Sequence, residues 1–130
     1  MGFFNNIFGD SSNKDTNQNS LNWNELTDLK QLDAIASESS QIPVIIFKHS
    51  TRCGISRMSL KGFESEYAID QDRAKPYFLD LLNYREISNA IAEKFGVYHE
   101  SPQLLLIKNG KAVYYESHGG ISADEVAQRL

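Results

Sequence analysis

The chain has 130 residues, 41% of them hydrophobic and 23% charged, enough for one domain with its own core and too little for two ordinary ones. Its net charge of -4 argues against nucleic acid, which would require clustered Lys and Arg. A single cysteine excludes an internal disulfide, a C-x-x-C pair and a four-thiolate metal site within one chain.

The apolar runs Val44 to Phe47 and Leu104 to Ile107 are far below the ~20 residues of a spanning helix, so no membrane segment is expected. The N-terminus lacks a basic stretch ahead of an apolar one, which speaks against a signal peptide. Met1-Gly2 opens like a myristoylation signal, but Asn6 stands where Ser or Thr is wanted. The cytoplasm is the expected compartment. Residues 1-20 read as a flexible tail, polar and without apolar residues over 9-20. Phe3, Phe4, Ile7 and Phe8 fall at helical spacing, which suits either a short docking turn or, in the blander reading, an unstructured end.

The ordered domain is expected over 21-130. Trp23, Leu26, Leu29, Leu32, Ile35 and Ala36 recur at three and four residues, placing a helix over most of 27-39 with Trp23 as a core anchor. Pro43 opens PVIIFKHS, an apolar run suited to a strand covered on both faces. Ile55, Met58, Ser59, Phe63 and Tyr67 mark a helix face from Cys53 to about 68. A strand over 75-83 follows. Asn83 and Glu86 suggest a capping pair for a helix over 84-95, with Ile87, Ala90, Ile91 and Phe95 inward and Gly96 as its stop. Two strand-like runs meet at Asn109-Gly110, the strongest short hairpin signal. Ser122 and Glu125 make a capping box for a last helix over 122-130. Tyr114, Tyr115 and Phe78 are expected to pack.

The order is helix, strand, helix, strand, helix, strand, strand, helix. A strand-helix-strand start requires a parallel pair with a right-handed crossover, and the hairpin adds an antiparallel end. This is the layout of a thioredoxin-like α/β fold: a mixed four-stranded sheet, a parallel pair plus an antiparallel hairpin, flanked by helices.

The chemistry gathers at His49-Ser-Thr-Arg-Cys-Gly-Ile-Ser56. A strand ends, a turn follows, and Cys53 sits where a helix begins. Free N-H groups of a first helical turn and the helix dipole favour negative charge on a sulfur placed there, and the thiolate is the nucleophile. Arg52 adds positive potential if it turns inward. Thr51 is a further positioning candidate. Ser56, one turn on, can offer the sulfur a hydroxyl proton, and Gly54 keeps the approach open. The bland alternative is a buried cysteine acting as a small hydrophobe. Ser101-Pro102 precedes an apolar strand, where a cis bond would turn the chain tightly and leave Ser101 beside Cys53 for an extended partner; a trans proline opening the strand is the alternative. His49, His99 and His118 do not cluster as metal ligands; His49 is expected to bond locally and His118 to be exposed.

The stretch FKHSTRCGIS-RMSL-KGFE (47-64), with LNWNELTDLKQL upstream, ESPQLLLIKNGK and the terminal SH--ISADEV, resembles the YtxJ family of monothiol bacilliredoxins over about 21-130. The resemblance implies a thioredoxin-like enzyme that removes bacillithiol from protein mixed disulfides, with Cys53 as nucleophile. It implies bacillithiol as co-substrate, no tightly bound cofactor, bacillithiolated proteins as partners, and a monomer. Family members commonly carry Pro directly after the cysteine, where this chain has Gly54; proline would stiffen the first helical turn. Cys-Gly-x-Ser also resembles the C-G-F-S monothiol glutaredoxins, which share an iron-sulfur cluster between subunits. Lys48 and Gly119-Gly120 loosely echo that pattern, whereas Ile55 replaces Phe and Arg52 precedes the cysteine. A redox-inert interaction domain is the third reading, and it requires an unreactive Cys53.

Overall fold

A computed structural model describes residues 21-130. The tail readings on 1-20 lie outside the described residues. The elements run β1 (Asn24–Glu25), α1 (Lys30–Glu38), β2 (Val44–His49), α2 (Gly54–Glu66), β3 (Lys75–Asp80), α3 (Arg85–Phe95), β4 (Gln103–Lys108), β5 (Lys111–Ser117), a 3-10 turn (His118–Gly120) and α4 (Ala123–Ala127). They build one sheet in the order β1-β3-β2-β4-β5. β1 and β2 lie parallel to β3, while β4 runs antiparallel to both β2 and β5.

The sheet therefore has five strands and not four. The extra strand, β1, pairs only Asn24 with Tyr77 and Glu25 with Phe78, and two residues are too short for any periodic signal. Trp23 and Leu26 belong to this edge segment, and the first helix begins later than the apolar spacing suggests. Gln31 accounts for part of that delay: its Oε1 accepts the Thr27 and Asp28 amides at 2.8 and 2.9 Å, holding the chain in a turn before α1.

All six residues of β2 are buried, because β3 and β4 cover its edges and helices cover both its faces. Alternation sends Val44 and Ile46 to one core with Leu32, Ile35, Ile87 and Ile91 of α1 and α3. Ile45 and Phe47 face the other core with Phe63 of α2, Tyr67 at its end and Val126 of α4. Each such side chain contributes about 1.5–3 kcal/mol by leaving water. Trp23 anchors the second core as expected, stacked on Phe63 at 5.9 Å and edge-on to Phe47 and Phe78 at 6.0 and 5.6 Å. Its indole N-H donates to Glu64 at 2.7 Å.

Two turn readings hold. Gly96 ends α3 at φ 67°, and Asn109 and Gly110 take φ 53° and 75° in the two-residue hairpin. The hairpin tip is tied to α1 by Ser39, whose Oγ accepts the Gly110 amide and whose carbonyl accepts the Asn109 amide.

Other readings are corrected. Asn83 does not cap α3; its amide donates to Asp80 at 2.7 Å and Tyr84 occupies the cap without a side-chain bond. Ser122 caps α4 by accepting the Glu125 amide at 3.3 Å, but Glu125 turns to Arg129 instead of completing the box, and the helix stops at Ala127. Tyr115 is 54% exposed because the last sheet strand has one bare face. Ile55 and Met58 are also exposed, at 55% and 77%. The buried stripe of α2 is Ser56 and Phe63 with Leu60 half-buried, a rotation that puts a serine inward in place of two apolar residues.

Candidate active site

The site forms where β2 ends. Hydrogen bonds continue past the strand, with the Leu81 amide donating to the His49 carbonyl at 3.0 Å, and the chain then leaves the sheet through a turn. The Cys53 amide donates to the Ser50 carbonyl at 3.2 Å, closing Ser50–Cys53. Cys53 is the N-cap of α2 in extended conformation, φ -109° and ψ 120°, and it is half-buried. No acidic residue lies in the first turn of α2, so nothing there competes with an anionic sulfur for the helix N-terminus.

Ser56 is fully buried, and its hydroxyl is engaged away from the sulfur. Its Oγ accepts the Ser50 amide at 3.0 Å and lies 2.8 Å from His49 Nδ1. A second clamp comes from Arg57, whose guanidinium donates to the Thr51 carbonyl at 3.0 Å. The turn carrying Cys53 is thus held to α2 at both Ser50 and Thr51. Thr51, Arg52 and Gly54 are exposed around it.

β4 delivers the facing wall. Its register pairs Gln103 with Lys48, which brings Ser101-Pro102 alongside the end of β2. The Ser101-Pro102 bond is cis. Pro102 is buried, and the Ser101 hydroxyl is buried without a hydrogen-bond partner. The Pro102 carbonyl accepts the His118 amide at 3.1 Å, and Ser59 of α2 donates to the His118 carbonyl at 3.1 Å. The 3-10 turn after β5 therefore joins the cysteine helix to the proline strand. Beside it an open groove of about 330 Å³ is lined by Ile55, Met58, Gly62, Gly119 and Ile121.

His49 and Lys48 sit on opposite faces of β2. His49 is 5% exposed, with its ring 5.5 Å from that of Phe78. Burial pushes its imidazole below the usual value, Asp80 and Glu64 pull it up, and Arg57 pushes it down again. Lys48 is fully buried and donates to Gln103 Oε1 at 3.1 Å; burial pushes its amine down to about 8. Among the described residues no group of three His, Cys, Asp or Glu is placed to hold a metal ion. No helix among them is long and apolar enough to cross a membrane.

A half-buried thiol at an uncompensated helix start, opposite a proline-led strand, can exchange with a disulfide presented along that strand. Comparison with known proteins agrees. The family model of monothiol bacilliredoxin BrxC matches residues 24–126. The chain belongs to this family. A solved structure described as a candidate oxidoreductase with a thioredoxin fold is similar at 32% identity, with a TM-score of 0.68, covering 80% of this chain and 89% of that one. The fold is also that of thioredoxins from Malassezia sympodialis and Nicotiana alata. These are 17% and 20% identical, with TM-scores of 0.62 and 0.61. The first match covers 83% of this chain and 87% of that one; the second covers 88% and 93%.

The bacilliredoxin chain is accordingly a thiol-disulfide oxidoreductase, and Cys53 is its one cysteine. The sequence reading placed His49 no further than a local bond and gave no role to Arg57. Both hold the cysteine turn. The signal for His49 was available, since alternation from Phe47 directs residue 49 toward α2. Nothing in the linear pattern pointed Arg57 back to the Thr51 carbonyl.

Proposed function

We propose that this oxidoreductase removes bacillithiol from mixed disulfides on oxidised proteins. What supports the reading most is a lone thiol at a helix start in a chain of the monothiol bacilliredoxin family. The Cys53 thiolate attacks the bacillithiol sulfur of a protein–S–S–bacillithiol adduct. That disulfide breaks, a Cys53–bacillithiol disulfide forms, and the protein thiolate leaves and takes up a proton. With no second cysteine in the chain, a free bacillithiol or another outside thiol attacks the new disulfide and releases Cys53.

Thr51, Arg52, Gly54, Ser56, Ser101 and Pro102 surround this exchange in the proposal. Thr51 and Ser56 hold the turn through their contacts with Arg57 and Ser50. Arg52 supplies positive charge, Gly54 leaves room, and Ser101-Pro102 aligns an extended substrate segment beside the sulfur. Bacillithiol is co-substrate, no cofactor is held tightly, and the enzyme works as a monomer in the cytoplasm.

The test is intact-mass measurement after incubation with oxidised bacillithiol, beside a Cys53→Ser control. The expected result is one adduct on the wild type, released by added free thiol and absent from the control. No adduct on the wild type overturns the catalytic reading, and an equal adduct with glutathione overturns the thiol specificity.

A further inference from the structure

A mixed disulfide offers a choice of sulfurs, and the exchange proposed above needs Cys53 to meet the low-molecular-weight one. Something beside the cysteine must therefore hold that half of the substrate. Arg57 is placed to do so. Its Nη1 donates to the Thr51 carbonyl at 3.0 Å, and its Nη2 lies 3.8 Å from where a β-carbon on residue 54 would stand. The guanidinium thus spans the turn from one side of Cys53 to the other. A side chain at 54 would meet it already at the β-carbon, and Gly54 leaves that end uncovered.

Within the described residues this charge has no taker. None of their carboxylates lies within ion-pair distance of Arg57. Both acids of its own helix are engaged elsewhere: Glu64 accepts the Trp23 indole N–H at 2.7 Å, and Glu66 accepts the Ala123 amide at 3.0 Å. The bond to Thr51 uses a single N–H of a group that has several, arranged as a fork that matches a carboxylate. Arg52, the other cation of the turn, is exposed, and among the described residues its side chain has no hydrogen-bond or ion-pair partner to fix it.

We propose that Arg57 binds a carboxylate of the low-molecular-weight half of the disulfide and so holds that half beside Cys53. Such binding presupposes the reading that Cys53 exchanges with a mixed disulfide of this kind, and it adds that the thiol is an acid. A guanidinium already anchored to Thr51 has less side-chain freedom to lose on binding than a loose one. The net charge of -4 works the other way, repelling an anion at long range. The sign of the salt effect therefore separates the local contact from the field of the whole chain.

The experiment follows mixed-disulfide formation on the reduced full chain by intact mass, with oxidised bacillithiol and, as an uncharged probe, bis(2-hydroxyethyl) disulfide. Arg57 also holds the turn, so Arg57→Gln should slow both reactions, and the informative quantity is their ratio. The preference for oxidised bacillithiol should fall about fivefold in Arg57→Gln, the upper range for an exposed ion pair, and stay close to wild type in Arg57→Lys. Added salt should slow the wild-type reaction with oxidised bacillithiol and leave that with the uncharged probe unchanged. A ratio unmoved by Arg57→Gln, a preference lost in Arg52→Gln but not in Arg57→Gln, or a wild-type reaction that salt accelerates overturns the contact. The salt measurement needs no variant, so it decides alone if Arg57→Gln does not fold. If oxidised glutathione, another disulfide of a carboxylate-bearing thiol, reacts as fast as oxidised bacillithiol and depends equally on Arg57, the bacillithiol reading falls and the carboxylate contact stands.

Discussion

Replacing Lys48 with methionine should stabilise the protein at neutral pH and flatten its alkaline stability profile. The amine is fully buried, and its one polar contact is Gln103 Oε1 at 3.1 Å. Burial lowers it from 10.5 to about 8, so the folded protein binds this proton more weakly than the unfolded chain does. The penalty is complete below the folded value, where the amine is charged in both states. A shift from 10.5 to about 8 makes that penalty about 3 kcal/mol at neutral pH. As pH rises through the folded value the native amine sheds its proton while the unfolded one stays charged, so stability increases. By roughly pH 9.5 about 2 kcal/mol should be recovered. Methionine keeps the apolar stem and removes the charge, but leaves the buried Gln103 Oε1 without its donor, which costs about 1–3 kcal/mol. Lys48→Met should therefore gain up to about 2 kcal/mol at neutral pH, and about 2 kcal/mol less than that at roughly pH 9.5. Urea unfolding at a series of pH values, read by Trp23 fluorescence, measures both limbs. The scan should stop below about pH 10, because burial raises Tyr67 to about 12 and unfolding then releases tyrosine protons. Parallel wild-type and variant profiles, or a variant less stable at neutral pH, would refute the assignment of an uncompensated buried charge.

Three further outcomes follow from named contacts. Phe63→Ala should cost about 3–5 kcal/mol in the same unfolding assay, because Phe63 packs on Trp23, Phe47 and Tyr67 in a core with no slack. Ser39→Ala should cost about 1 kcal/mol, since it leaves the part-buried Gly110 amide without its acceptor at 2.7 Å; Ser39→Thr should recover the loss. Arg57→Met should slow alkylation of Cys53 several-fold while moving the melting temperature little, because its bond to the Thr51 carbonyl holds the turn at an exposed position. A melting temperature that falls with the rate would show that Arg57 supports the whole helix instead.

The sequence was most legible where one residue type meets one backbone need. Asn109-Gly110 required two positive φ angles, Gly96 required one, and both turns are where the dipeptide and the glycine place them. The position of the cysteine was legible for a similar reason: Cys53 lies between a buried strand and a helix whose first turn has no acid. The phase of α2 was not. Phe63 turns inward as expected, but hydrophobicity alone puts Ile55 and Met58 beside it, whereas both are exposed and Ser56 takes the buried position. Ser56 turns inward because His49 and Ser50 satisfy its hydroxyl there, a tertiary bargain across the strand that spacing cannot reveal. Lys48 is hidden in the same way. A lysine near the end of an apolar run reads as a solvent-seeking end, whereas β3, β4 and the helices leave it no route to water. Asn83 had the right type for a cap, but Asp80 drew its amide away.

The central position of β2 also divides the molecule by the time its amides take to exchange with solvent. A strand paired on both edges and covered on both faces opens only when the whole domain unfolds, so its amides should be among the last to take up deuterium. Thr51 and Arg52, two residues beyond it, are exposed and should exchange quickly. Cys53 thus stands at a sharp boundary between slowly and quickly exchanging backbone. Its sulfur has a fixed base behind it and a yielding rim in front, so movement of the rim would leave the strand behind it undisturbed.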